Sequence, residues 1–184
     1  MKLLKLFLSL TFALILYSCQ KKEVFQPIDS KSDSDYLKNS QEYSKAREEN
    51  ERKYLQKWVN KQEDSLNYTF QPTSSGIWIR FIEEKNQPKA KNNDWVKYTA
   101  EIKTLSNEVI YTTTEFGERQ GFLGKFKETR GIESGLYTMG KGDVAELVLP
   151  SFTAYGLYGD DNKIGANVPL LITLTLHDVK TQQR

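Results

Sequence analysis

The segment 169–180 sets the tightest limit on how this chain folds. Leu170, Ile172, Leu174 and Leu176 alternate with Leu171, Thr173, Thr175 and His177. Successive side chains of a strand point to opposite faces. One face here is wholly apolar and the other mostly polar, which predicts a strand half-buried against a core, as antiparallel sheets allow. The same period runs through 76–83, where Ile77, Ile79 and Phe81 alternate. Further strands are expected over 94–104, 108–115 and 143–149, the last ended by Pro150. Residues 129–139 read as a short helix, with Ile132 and Leu136 one turn apart. Residues 86–93, holding Pro88, read as a polar loop. A short helix among several mostly antiparallel strands predicts an α+β domain, a curved sheet closed over a helix.

The other end of the chain predicts its address. Lys2 and Lys5 precede an apolar run, Leu6 to Tyr17, broken only by Ser9 and Thr11. A basic start followed by such a run is a secretory signal. The run falls short of the roughly 20 apolar residues that a membrane span needs. Leu16-Tyr17-Ser18-Cys19 then resembles a lipobox, where lipid joins the cysteine and the peptide before it is removed. Residues 1–18 are therefore expected as a lipoprotein signal peptide, with lipid on Cys19 and the membrane as a partner through it. Gln20-Lys21-Lys22 carry no acidic run, so the domain is expected on the outer membrane, facing the periplasm. The 26 basic and 24 acidic residues balance once Lys2 and Lys5 leave with the leader. Nucleic acid is excluded as a partner, because its surface demands a basic excess.

Residues 19–35 are polar and read as a flexible tether. Residues 36–66 lack Gly and Pro and are rich in Glu, Lys, Gln and Arg, which predicts an amphipathic helix. Asp33, Ser34 or Asp35 is positioned to cap its start. Tyr36, Tyr43, Tyr54, Leu55, Trp58 and Val59 recur at helical spacing, but the charged stretch 45–53 breaks the stripe. The helix should therefore pack through its C-terminal half, with the charge run as a solvated face.

Cys19 is the only cysteine and His177 the only histidine, and His177 points away from the core by alternation. An internal disulfide, a Cys-based metal site, a His-dependent triad and a Cys–His pair are all disfavoured together. Gly140-Lys141-Gly142-Asp143-Val144-Ala145 precedes a strand instead of following one, so it fails as a dinucleotide fingerprint and reads as a turn. Asp160-Asp161-Asn162 is too short for a calcium loop and also reads as a turn.

Five segments carry a resemblance. Gly131-Ile132-Glu133-Ser134-Gly135 opens the short helix. Leu149-Pro150-Ser151 ends a strand and Ala154-Tyr155-Gly156 follows. Residues 164–170 lead into the last strand, and Trp95-Val96-Lys97-Tyr98-Thr99 lies upstream. This order, over 76–182, resembles the FKBP-type peptidyl-prolyl isomerases. With the lipobox and the preceding helix, the chain looks like the gliding-motility-associated FKBP-type lipoproteins of bacteria. The resemblance implies an isomerase that assists the folding of proline-containing exported polypeptides and uses no cofactor and no metal.

It also implies site residues. Tyr98 would line the pocket, Ile132 its floor and Ile172 its wall, while Tyr155 would aim its hydroxyl at a substrate carbonyl. Ile110 and Tyr111 stand where the family has a Phe-Asp pair. Glu128 and Thr129 stand where two β-branched apolar residues are usual. Ile164 would lie in the loop over the pocket. These replacements imply a pocket that loses ring surface and a carboxylate. A binding module or chaperone without the chemistry is therefore a competing expectation. Assembly through the N-terminal helix, as a homodimer or a dock onto an envelope motility complex, is another.

Overall fold

The computed structural model describes residues 30–66, 69–125 and 127–181. The expected signal peptide, Cys19 and the expected tether as far as residue 29 lie outside the described residues. The chain divides into a unit ending at Glu42 and a second unit, Tyr43–Arg184.

Helix α1 (Ser30–Leu66) begins at Ser30 instead of Tyr36. Residues 33–35, expected as caps, lie inside it. From Leu37 to Tyr43 its side chains are exposed. Further along, Leu55 and Val59 are buried. The strands are β1 (Gln71–Pro72), β2 (Trp78–Glu83), β3 (Trp95–Lys103), β4 (Val109–Tyr111), β5 (Arg119–Phe122), β6 (Val144–Leu149) and β7 (Leu170–Lys180). Two short helices interrupt them, α2 (Thr113–Phe116) and α3 (Arg130–Thr138), and a 3-10 turn (Ser151–Thr153) follows β6. All seven strands pair antiparallel in the order β1-β2-β6-β7-β3-β4, with β5 on β3.

Register places one apolar row on each face. Ile79, Leu147, Ile172 and Ile102 are successive partners across β2, β6, β7 and β3. They belong to the main core with Tyr98, Ile132 and Leu136. Trp78, Val148 and Leu171 form the row on the opposite face and pack with Leu55, Val59 and Phe70. The C-terminal half of α1 therefore covers part of the face that alternation left apolar at Leu171. Beyond it the face is polar, and exposed His177 is hydrogen-bonded to Thr99 Oγ1 at 2.8 Å.

α3 lies close against β6 because its inner positions are glycines. A Cβ on Gly135 would come within 2.5 Å of Leu147 Cδ1, and one on Gly131 within 2.6 Å of Leu149 Cδ1. Thr129 is its N-cap, accepting from the Ile132 amide at 3.4 Å. The expected strand 108–115 is instead β4 followed by α2. Thr112 and Glu115 form a reciprocal capping box, which satisfies the first amides of a helix and turns the chain out of the sheet. The 140–143 segment is a turn, in which the buried Asp143 carboxylate accepts from the amides of Gly140 and Lys85, each at 2.7 Å.

Candidate functional site

A cleft of about 300 Å³ opens between α2, β5 and the loop after β6, lined by Tyr111, Glu115, Phe116, Arg119, Tyr155 and Asp160. Of the residues expected at a site, Tyr111 and Tyr155 line it. Ile132, Ile164 and Ile172 are buried in the main core and do not. Ile110 packs against that core half-buried and gives its carbonyl to Lys163 Nζ at 3.1 Å. The Ile164 amide donates to Asp160 Oδ1 at 2.7 Å, which folds residues 160–164 into a closed turn.

Beside the cleft stands a buried carboxylate, Glu128. Its side chain is only 2% exposed and ion-pairs with Arg119, whose Nη1 lies 2.8 Å from Oε2. The Tyr98 hydroxyl donates to the same oxygen at 2.7 Å, and the Thr129 amide donates to Oε1 at 2.8 Å. A buried carboxylate is tolerable when it is paired and its lone pairs are satisfied. The pairing comes from topology: β5 runs along β3 with Arg119 opposite Tyr98, and Glu128 reaches both from the segment before α3. Burial, then the charge of Glu128 and the hydrogen bond to it, push the Tyr98 hydroxyl upward, so it stays a donor.

Ring surface is also present. Phe116, delivered by α2, tilts against Tyr98 with centroids 6.3 Å apart. The Arg119 guanidinium carbon lies 3.8 Å from the Phe116 ring centroid, a cation–π contact. On the opposite rim Tyr111 donates a short hydrogen bond to Asp160, and Lys163 bridges Glu115 at 2.6 Å while lying 4.9 Å from the Tyr111 ring centroid. The hydrogen bond from Lys163, with those from Thr112, holds the Glu115 carboxyl down to about 2.

Tyr155 is half-buried and packed against the core. Among the described residues its hydroxyl has no hydrogen-bond partner. Burial pushes it up to about 12, with the Glu128 charge adding to the shift and Arg119 opposing it. The site thus offers one neutral donor beside a partly aromatic cleft whose charged groups are ion-paired or hydrogen-bonded within the protein. Local pattern does not mark Phe116, Arg119 or Glu115 as site residues, and it marks Asp160 only as part of a turn. The Thr112-x-x-Glu115 spacing is a signal for α2, and hence for Phe116; Arg119 has none. Among the described residues no group of His, Cys, Asp and Glu is placed to hold a metal ion. No helix there is long and apolar enough to cross a membrane.

Solved structures share this fold. A peptidyl-prolyl cis-trans isomerase from Pseudomonas syringae superposes with a TM-score of 0.57 at 21% identity, over 72% of this chain and 96% of that one. FkpA from Escherichia coli gives 0.55 at 18% identity, over 96% of this chain and 81% of its own. The N-terminal domain of FKBP42 from Arabidopsis thaliana gives 0.55 at 19%, over 61% and 92%. No curated protein sequence matches the chain. The sequence model for FKBP-type peptidyl-prolyl cis-trans isomerase matches residues 86–177, spanning β3 through most of β7 and every residue that lines the cleft, and the chain belongs to that family.

Proposed function

We propose that this protein is an active peptidyl-prolyl cis-trans isomerase of the cell envelope, held by lipid on Cys19 and assisting exported proteins. The observation that carries the activity is the Tyr155 hydroxyl, a donor without a partner among the described residues, beside the aromatic cleft. Rotation about an X–Pro bond is slow because it interrupts amide resonance, with a barrier of ~18–20 kcal/mol. Lowering it takes no acid, base or metal. It takes a site that binds the twisted amide better than the planar one. Phe116 and the ring of Tyr155 receive the proline ring out of water, and the Tyr155 hydroxyl donates to a carbonyl beside the rotating bond. Glu128 holds Tyr98 and Arg119 so that this wall does not move. The envelope address is supported by the basic-apolar leader and the lipobox-like stretch. The finer placement among gliding-motility-associated lipoproteins rests on that stretch together with the helix before the domain.

A proline-isomerisation assay on short peptides tests the activity. The wild type should exceed the uncatalysed rate, and Tyr155→Phe should lose about tenfold or more, the value of one aimed donor. A folded wild type at the background rate defeats the reading. In that event the charged rim favours the second one, a polypeptide-binding module that does not catalyse. The Arg119–Glu128 and Lys163–Glu115 pairs place polar groups around the opening.

A further inference from the structure

Resting on the isomerase reading, we infer that Glu51 of α1 is a positioning residue for the site, the outside clamp that sets Tyr155. The 3-10 turn Ser151–Thr153 begins after Pro150, which supplies no side-chain cap. Its first amide needs an acceptor from elsewhere. Glu51 provides it: Ser151 N donates to Oε1 and Ser151 Oγ to Oε2, each at 2.7 Å. Ser151 itself is buried, so both donors depend on that carboxylate. Arg52, the next residue, sets its guanidinium carbon 5.6 Å from the Phe152 ring centroid.

The clamp leads directly to the site. The Ser151 carbonyl accepts from the amide of Ala154 at 3.1 Å and from that of Gly156 at 2.8 Å. These residues flank Tyr155. The Gly156 carbonyl in turn accepts from Asn167 at 2.7 Å and ties the far end of the loop. Glu51 therefore fixes Ser151, Ser151 fixes both neighbours of Tyr155, and the hydroxyl is aimed from a helix that precedes the matched family region. Glu51 lies in the charge run that reads as a solvated face, yet it is partly buried. Nearby Glu49 and Lys53 do form an exposed surface pair.

The full chain carrying Glu51→Ala, Glu51→Gln, Ser151→Ala or Lys53→Ala tests this, with steady-state isomerisation and amide hydrogen exchange read together. Glu51→Ala should lower kcat about tenfold with little change in KM, because a misaimed donor is felt mainly in the transition state. The amides of Ala154 and Gly156 should exchange about tenfold faster, while those of β7 and α3 keep their protection. Glu51→Gln retains an acceptor for the Ser151 amide and should stay within about twofold of the wild type. Ser151→Ala, which keeps the amide bond, should fall between, and Lys53→Ala should change nothing. Wild-type kcat in Glu51→Ala, unchanged exchange at 154 and 156, or faster exchange throughout the domain would each overturn the inference. If the wild type itself is inactive, the isomerase reading falls, and the exchange pattern alone supports or overturns Glu51 as what holds the turn.

Discussion

The two faces of the sheet are finished differently. On one, the row Ile79–Leu147–Ile172–Ile102 meets α3 across bare glycine backbone, and the packing is closed and apolar. On the other, Trp78, Val148 and Leu171 are covered by a helix that contributes Leu55 and Val59 and is otherwise strongly charged. The first face makes the domain. The second recruits a polar helix, and its reach to Ser151 extends the domain's working boundary upstream of the first strand. Burial and positioning are therefore separate uses of packing. The closed face supplies stability, and the helical face supplies stability at Leu55, Trp58 and Val59 and geometry at Glu51.

The largest effects should come from emptying either face. Leu147→Ala and Leu55→Ala should each cost ~2–5 kcal/mol in urea unfolding, through lost transfer energy and the cavity left behind. A single transition in both variants would show the faces to be one cooperative unit; two transitions would show that they unfold separately. Next, Gly135→Ala should cost ~1–3 kcal/mol, because its Cβ has no room beside Leu147. A neutral result would mean that α3 can lift freely from β6. Glu128→Ala should cost about as much, ~1–3 kcal/mol, by leaving the Tyr98 hydroxyl and the Arg119 guanidinium without their shared acceptor. Tyr98→Phe/Glu128→Ala in a double-mutant cycle should show the two losses to be less than additive.

The smallest effect concerns pH. The Tyr155 hydroxyl is raised from its ordinary 10 to about 12. A raised group contributes fully below its unfolded value, and that contribution fades as pH rises through the folded one. Activity that depends on this donor should therefore stay flat from neutrality to pH 10 and decline only above it. A fall centred well below pH 10 would point to a different donor.

Much of the architecture is legible in the residues, and the exceptions share a cause. Strand β7 and strand β2 announce themselves by alternation, and α3 by the apolar spacing of Ile132 and Leu136. Strand β5 does not: Arg119-Gln120-Gly121-Phe122 has no apolar period, and it is a strand only because β3 offers it an edge. The two-residue β1 is likewise made by its partner. At the site, Tyr155 and Tyr111 can be found by resemblance. Glu128 reads only as a replacement for a β-branched apolar residue when its own position alone is considered. It becomes a carboxylate acceptor only once β3, β5 and the segment before α3 are brought together. Long-range pairing, which local pattern does not encode, decided both the missed elements and the missed chemistry.

The most direct test is the rate of cis–trans isomerisation of a proline-containing peptide by the full chain, with Tyr155→Phe alongside. The wild type should catalyse, and the variant should lose about tenfold or more at unchanged thermal stability. A folded wild type that leaves the peptide at its uncatalysed rate, or a Tyr155→Phe variant as fast as the wild type, would contradict the proposed activity.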